Sequence, residues 1–335
     1  MKKRHVMFRV GVTLVLLTCA VFATVASLGR TRLQQIDGAK EFGVTFSPRT
    51  VRYYGDNDPI VAFDAVLNDL GVQLVRLPLY WDDVEATEGD YDFSDVDPYM
   101  DAAAASGAKV TLVIGMKIPR WPECHVPEWV GDSPREALFD YLDVVVSRYK
   151  GHPALLRWQV ENEQNFPFGE CPALDVQLFN DEVAFVRHLD PTTPIQLTVS
   201  GEQELWAANA GHADVLGTSM YRFAWNPTTG LVVFPHPPEF YKLQAQTIAG
   251  AVDNVVISEL QAEPWFENGV IPDALSDRVA LFTADRLRDH VDFARRTGLS
   301  EVYLWGVEWW YDLAQRGDTS LWDAAREEIG ATNHE

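Results

Sequence analysis

The sequence predicts an α/β protein built as a closed (β/α)8 barrel of the TIM type. Three observations lead there. Eight short apolar runs rich in Val, Ile and Leu recur along the chain. Segments of helical spacing separate them. Once the first 30 residues are set aside, about 305 remain, enough for the roughly 250 that one such barrel needs.

The candidate strands are Phe42–Ser47, Gln73–Pro78, Lys109–Gly115, Leu155–Val160, Ile195–Val199, Val215–Met220, Val255–Ser258 and Val302–Gly306. Candidate helices cover 58–70, 94–106, 133–150, 174–189, 238–250 and 276–297, with weaker helical segments near 202–210 and 319–329. Gly71, Gly107, Gly151 and Gly298 follow four of these helices, where C-terminal caps belong. The rival is an open doubly wound sheet, which would carry a Gly-rich phosphate turn after its first strand. The turn here, TFSPRTVRYYGDND, has neither GxGxxG nor GxxxxGK[ST], so a nucleotide-binding sheet is excluded.

Ahead of the barrel domain (41–335), residues 1–30 form a basic stretch followed by 19 uncharged positions, 10–28. Such a run is about long enough to span a bilayer, with its basic flank kept inside. A cleaved secretory signal is the competing reading, with Thr24-Val25-Ala26 as the cleavage site. Either places the body outside the cytoplasm, anchored or secreted, and residues 31–40 read as a short linker. The membrane is then met through this segment only. The chain carries 49 acidic and 27 basic residues, net −22. The first 30 residues contribute five of the bases and no acid. The body is therefore strongly acidic, which excludes nucleic acid as a partner. Three cysteines are too few for a disulfide scaffold. In an oxidising compartment, Cys124 (WPECHVP) and Cys171 (GECPAL) would bridge two adjacent loops; two free thiols are the alternative.

In a barrel, chemistry sits at the C-terminal ends of the strands. The unusual polar residues gather there. The fourth strand, LLRWQVENEQN, ends in Asn162-Glu163. The seventh, NVVISELQAEPW, ends in Glu259. The second ends near Arg76, Tyr80 and Trp81, the sixth in Tyr221, the eighth near Trp305 and Glu308. Acids and aromatics at several strand ends are what a sugar-processing pocket requires. Cleaving a glycosidic bond needs one carboxyl to protonate the departing oxygen and another to stabilise or attack the anomeric carbon. The two must sit in different environments, so that one keeps its proton while the other stays ionised. A carboxyl separation of about 5–5.5 Å would mean retention, and about 6.5–9.5 Å inversion. The His residues lack metal-site spacing, no G-x-S-x-G elbow occurs, and EGDYDFSDVD does not match a calcium loop, so neither a metal nor a cofactor is expected.

At these residues the chain resembles a family. WQVENEQ is similar to the acid/base strand of glycoside hydrolase clan A, with WQVENE closest to the β-galactosidase families 35 and 42. The block WDDVEATEGDYDFSDVDPYMDAAAASGAKVTLVIG resembles the second-to-third-strand region of family 42, and ISELQAEPW resembles a clan nucleophile strand. The resemblance spans about residues 42–311. It implies a retaining enzyme that hydrolyses β-linked oligo- or polysaccharides through a covalent glycosyl intermediate. Glu163 would be the acid/base and Glu259 the nucleophile. Asn162 would hydrogen-bond the sugar 2-hydroxyl, Tyr221 and Arg76 would hold Glu259, and Trp305 would floor the pocket. Trp81 is a further candidate for sugar contact. Glu161 competes with Glu163, and Glu263 with Glu259. Arg76 could instead pair with an acid at the barrel floor, and Trp309 and Trp310 stay open. A transglycosylase would use the same residues. A surface barrel that binds carbohydrate without turnover is the alternative from another class.

Overall fold

A computed structural model describes residues 41–131, 134–173 and 175–331. The apolar run 10–28, read as an anchor or a signal, and the linker 31–40 lie outside the described residues. Among the described residues, no helix is long and apolar enough to cross a membrane.

Ten strands form. They are β1 (Glu41–Thr45), β2 (Leu74–Pro78), β3 (Lys109–Ile114), β4 (Leu155–Val160), β5 (Ile195–Val199), β6 (Val215–Met220), β7 (Phe223–Asn226), β8 (Gly230–Val233), β9 (Asn254–Gln261) and β10 (Glu301–Trp305). Eight of them close a parallel barrel in the order β1-β10-β9-β6-β5-β4-β3-β2, while β7 and β8 form a separate antiparallel hairpin. The barrel closes because β1 pairs on both sides. Thr45 stands level with Trp305 of β10 and with Arg76 of β2. That one register sets Arg76 and Trp305 level with each other on either side of Thr45, near the C-terminal rim.

Along the strands apolar residues alternate with buried polar ones, among them Arg76, Thr111, Arg157, Gln159, Gln196 and Thr198, so one face packs on the helices while the other lines the lumen. The helix Arg135–Tyr149 shows how the outer layer is held. Leu138, Tyr141, Leu142, Val145, Val146 and Tyr149 recur at helical spacing and are all buried. Burial of each large apolar side chain contributes about 1.5–3 kcal/mol. Local signals start the helices. Ser47 accepts from the Thr50 amide at 3.2 Å ahead of Pro48, and Asp58 accepts from Ile60 at 2.9 Å ahead of Pro59. Gly107 and Gly298 end theirs in the left-handed region, at φ 83° and 81°.

Several segments differ from the sequence reading, three of them helical. The segment after β1 is helical (Pro48–Tyr54) rather than a bare turn. The helix expected at 276–297 is two helices, Leu275–Leu281 and Ala284–Thr297, because Thr283 caps the second and accepts from the Arg286 amide. The chain after β10 turns straight into the helix Val307–Gln315, which buries Trp309 and Trp310. Trp310 donates to the Ala262 carbonyl at 2.7 Å, and Trp309 packs edge-on against Tyr54 and Phe266. Both are core residues.

The barrel lumen is polar along its axis. At the N-terminal end, Arg157 pairs with Glu301, which also accepts from Tyr303 at 3.3 Å. The floor acid is thus already matched, and Arg76 is left for the other end.

Candidate active site

Arg76 organises the rim. It is fully buried and donates three ways: Nε to Gln159 Oε1, Nη1 to Glu259 Oε1, and Nη2 to Asn162 Oδ1, each at 2.7 Å. Gln159 is fixed in turn by Gln196 at 3.0 Å. A planar guanidinium suits this fork of acceptors and cannot lose its charge.

Glu259 lies inside β9, two residues before its end. The pairing of β6 with β9 shifts register between Thr218 and Ser219, the residue opposite Glu259. Such a bulge re-aims a side chain. Its second oxygen, Oε2, accepts from the Tyr221 hydroxyl at 3.1 Å. Tyr221 is positioned by its own backbone N–H, which donates to Glu202 at 2.8 Å. Burial, then the nearby charge of Glu259, pushes the Tyr221 hydroxyl well above its ordinary pKa, so it remains a donor.

Glu163 arrives differently. After β4 the chain leaves the strand through two residues in the left-handed region, Glu161 at φ 58° and Glu163 at φ 43°. Such positions cost about 1–3 kcal/mol each and persist only where surroundings hold them. Here Glu161 accepts from the amides of Met116 (2.7 Å) and Lys117 (2.5 Å). The Glu163 amide donates to Thr198 Oγ1 at 2.9 Å, and Lys117 Nζ donates to the Glu163 carbonyl at 2.9 Å. Glu161 is therefore bound to the loop after β3, while the Glu163 carboxyl is left for the pocket. That side chain is 9% exposed, and its Oε1 is buried without a hydrogen-bond partner. Burial raises its pKa well above the ordinary carboxyl value, the charge of Glu259 raises it further, and the Ser219 hydroxyl opposes the shift. The two acids thus stand in opposite settings: Glu259 against a cation and a hydroxyl, Glu163 desolvated and beside another carboxylate.

Trp305 ends β10, but the Arg120 guanidinium stacks over its ring at 4.0 Å. One face of that indole is therefore already occupied. Arg120 also pairs with Glu263 and, at 2.7 Å, with Glu308 Oε2. Glu263 accepts from Tyr54 at 3.0 Å, so it is committed to this cluster rather than placed on Arg76. Trp81 must be corrected. It is 0% exposed, stacks on Tyr141 with centroids 5.1 Å apart, and donates to Glu85 at 2.8 Å. A side chain enclosed between barrel and helix offers no surface to a sugar.

Cys124 and Cys171 are joined, with Cα atoms 5.2 Å apart, and tie the loop after β3 to the loop after β4. The first of these loops brings in three residues that sequence reasoning missed: Lys117, Arg120 and Glu123. Glu123 Oε2 accepts from Asn162 Nδ2 at 3.1 Å. In sequence these look like solvated loop charges. The available signal was the Cys124 pairing, which pulls this loop against the end of β4. Among the described residues, no group of three His, Cys, Asp or Glu is arranged to hold a metal ion.

Residues 69–170 match the Glycosyl hydrolase family 10. The fold is similar to that of an exo-β-1,4-mannosidase, Op5Man5, from Opitutaceae bacterium strain TAV5 (TM-score 0.56, 18% identity, 79% of this chain and 51% of that one). It is also similar to a β-galactosidase from the psychrophilic Marinomonas ef1 (TM-score 0.59, 14% identity, 88% and 59%). A third likeness is to a GH5_18 protein from Bifidobacterium longum subsp. longum (TM-score 0.61, 12% identity, 88% and 79%). The chain spans between half and three-fifths of the length of the first two. The family match covers less than a third of the chain, and these neighbours share its barrel fold.

Proposed function

We propose that this protein is a retaining glycoside hydrolase acting on β-linked oligo- or polysaccharides outside the cytoplasm, tethered or exported by residues 1–30. The carrying observation is the contrast between two carboxyls of one pocket. Glu259 is paired with Arg76 and Tyr221, while Glu163 is desolvated and driven toward its protonated form. In the first step Glu163 gives its proton to the departing oxygen, and a Glu259 oxygen bonds to the anomeric carbon as the glycosidic bond breaks. In the second, Glu163 takes a proton from water, which attacks the same carbon and releases Glu259. Asn162, fixed by Arg76 and Thr198, faces the glycone.

Single Glu163→Gln and Glu259→Gln variants test this against two leaving groups. A 2,4-dinitrophenyl β-glycoside departs without protonation, whereas an alkyl β-glycoside needs the acid. Glu163→Gln should lose about 10²–10⁴-fold on the alkyl substrate and far less in bond cleavage on the dinitrophenyl one. Glu259→Gln should lose both. Wild-type turnover by Glu259→Gln would end the proposal.

A further inference from the structure

The loop after β3 carries a third carboxyl into this pocket. Glu123 is 7% exposed and is held by an amide rather than a cation: Oε2 accepts from Asn162 Nδ2 at 3.1 Å. Asn162 in turn accepts from Arg76, which holds Glu259. Burying a carboxyl against a neutral partner costs several kcal/mol. The surrounding backbone is nonetheless built to keep it there. Arg120 and Glu123 both sit at positive φ, 89° and 76°. The Glu123 amide donates to the Arg120 carbonyl at 2.8 Å, and the Ile118 amide donates to the Glu123 carbonyl at 2.7 Å. The loop after β4 closes over the residue, with the Glu170 amide on the Pro122 carbonyl at 2.9 Å and the Cys124–Cys171 bond beside it. Gly169 lies so near that a Cβ there would stand 2.5 Å from the Glu123 Cβ. A loop shaped this closely around one buried acid points to a role for that acid.

Orienting Asn162 does not explain it. The Asn162 carbonyl already accepts from Arg76 at 2.7 Å and Thr198 at 3.3 Å. What remains without a partner at these acids is Glu163 Oε1, which is buried. Burial, then the charge of Glu259, pushes Glu123 up to about 8, so near neutral pH it holds a proton and can donate as well as accept. A sugar hydroxyl, itself donor and acceptor, matches such a group in either state. A substrate carboxylate does not. The two guanidiniums here are already spoken for, Arg76 by Glu259 and Arg120 by Glu263 and Glu308, and the Lys117 ammonium is turned onto the carbonyls of Glu163 and Phe166.

We propose that Glu123 is a substrate-binding residue, hydrogen-bonding a glycone hydroxyl on the Asn162 side and selecting neutral sugars over acidic ones. This rests on the glycosidase reading of the site. The test uses the 4-nitrophenyl β-glucoside, β-galactoside or β-mannoside that wild type cleaves fastest, with its monodeoxy series. In wild type, removing the hydroxyl that faces Glu123 should lower kcat/KM by about tenfold or more, as loss of a hydrogen bond to a buried polar group does. In Glu123→Ala that same penalty should shrink to about threefold or less, while Glu123→Gln should keep it. If Glu123→Ala does not fold, Glu123→Asp, which withdraws the carboxyl by one methylene, takes its place. Equal deoxy penalties in all variants would overturn the proposal and leave Glu123 as a positioning residue for Asn162. If wild type cleaves none of the three glycosides, their binding and that of their deoxy analogues is measured by calorimetry. A penalty that shrinks there keeps the Glu123 contact and ends the glycosidase reading; equal penalties in binding overturn the contact; no binding at all overturns both.

Discussion

Replacing Arg76 by methionine should reverse the effect that a second substitution, Glu259→Gln, has on stability. Arg76 is fully buried, and its three hydrogen bonds end on Gln159, Glu259 and Asn162. Methionine fills much of the volume and makes none of them. The Glu259 carboxylate, itself buried, would keep only the Tyr221 hydroxyl. Removing one partner of a buried ion pair costs about 3–5 kcal/mol, because the remaining charge is left uncompensated. For a domain of this size that corresponds to a fall of roughly 6–10 °C in thermal midpoint. In the wild-type background Glu259→Gln should lower the midpoint, since it leaves the buried Arg76 guanidinium hydrogen-bonded to neutral partners only. In the Arg76→Met background it should raise the midpoint, since it removes the stranded charge. Thermal unfolding of the four proteins at pH 7, followed by near-ultraviolet circular dichroism, measures this. If Glu259→Gln lowers the midpoint equally in both backgrounds, the two residues are not coupled and the electrostatic picture of the rim is wrong.

Trp81→Ala should cost about 3–5 kcal/mol of stability through loss of a buried indole, yet leave KM near wild type; a large rise in KM with an unchanged midpoint would restore Trp81 to the pocket. The Glu123 carboxyl rises from an ordinary 4.5 to about 8, so between those values the folded state holds a proton that the unfolded chain releases. Its stabilising contribution is therefore complete below about pH 4.5 and lost as pH rises to about 8, by a few kcal/mol at most. Glu123→Gln should flatten the fall in midpoint between pH 5 and pH 8, and an undiminished fall would contradict this. Reducing Cys124–Cys171, which links positions 47 residues apart, should remove about 4 kcal/mol and raise KM, because the same bond closes the loops around Glu123. Midpoint and KM unaffected by reductant would show that the loops hold without it.

The barrel was legible where the chain punctuates itself. The strands Leu155–Val160, Ile195–Val199 and Val215–Met220 coincide with their apolar runs. The seventh apolar run stops at Ser258, with Glu259 read as the strand end, yet the strand continues through Gln261 and both polar residues are buried. The helix Val307–Gln315 was hidden because GVEWWYDL continues the apolar run of β10, and helix and strand are alike over so short a stretch. The β7–β8 hairpin is weakly marked because its strands are only four residues each and half exposed. At the candidate site, Arg76, Asn162, Glu163, Tyr221 and Glu259 could be grouped from sequence because each lies at or near a strand end. Trp81 misled for the same reason: position in a strand-end loop does not say which way an indole turns. Glu123 and Arg120 were invisible because only the closed loop, with its positive φ residues and its disulfide, turns two surface-like charges inward.

The account stands most directly on which atom attacks the sugar. Wild-type protein incubated with a 2-fluoro β-glycoside bearing a dinitrophenyl leaving group, then digested and sequenced by mass spectrometry, reads that atom. One added glycosyl mass is expected on Glu259, in the segment NVVISELQAEPW, with Glu163→Gln labelled at the same residue. Glycosyl mass on Glu163, Glu123 or Glu263 instead, or turnover with no adduct and an inverted anomer as first product, would contradict it.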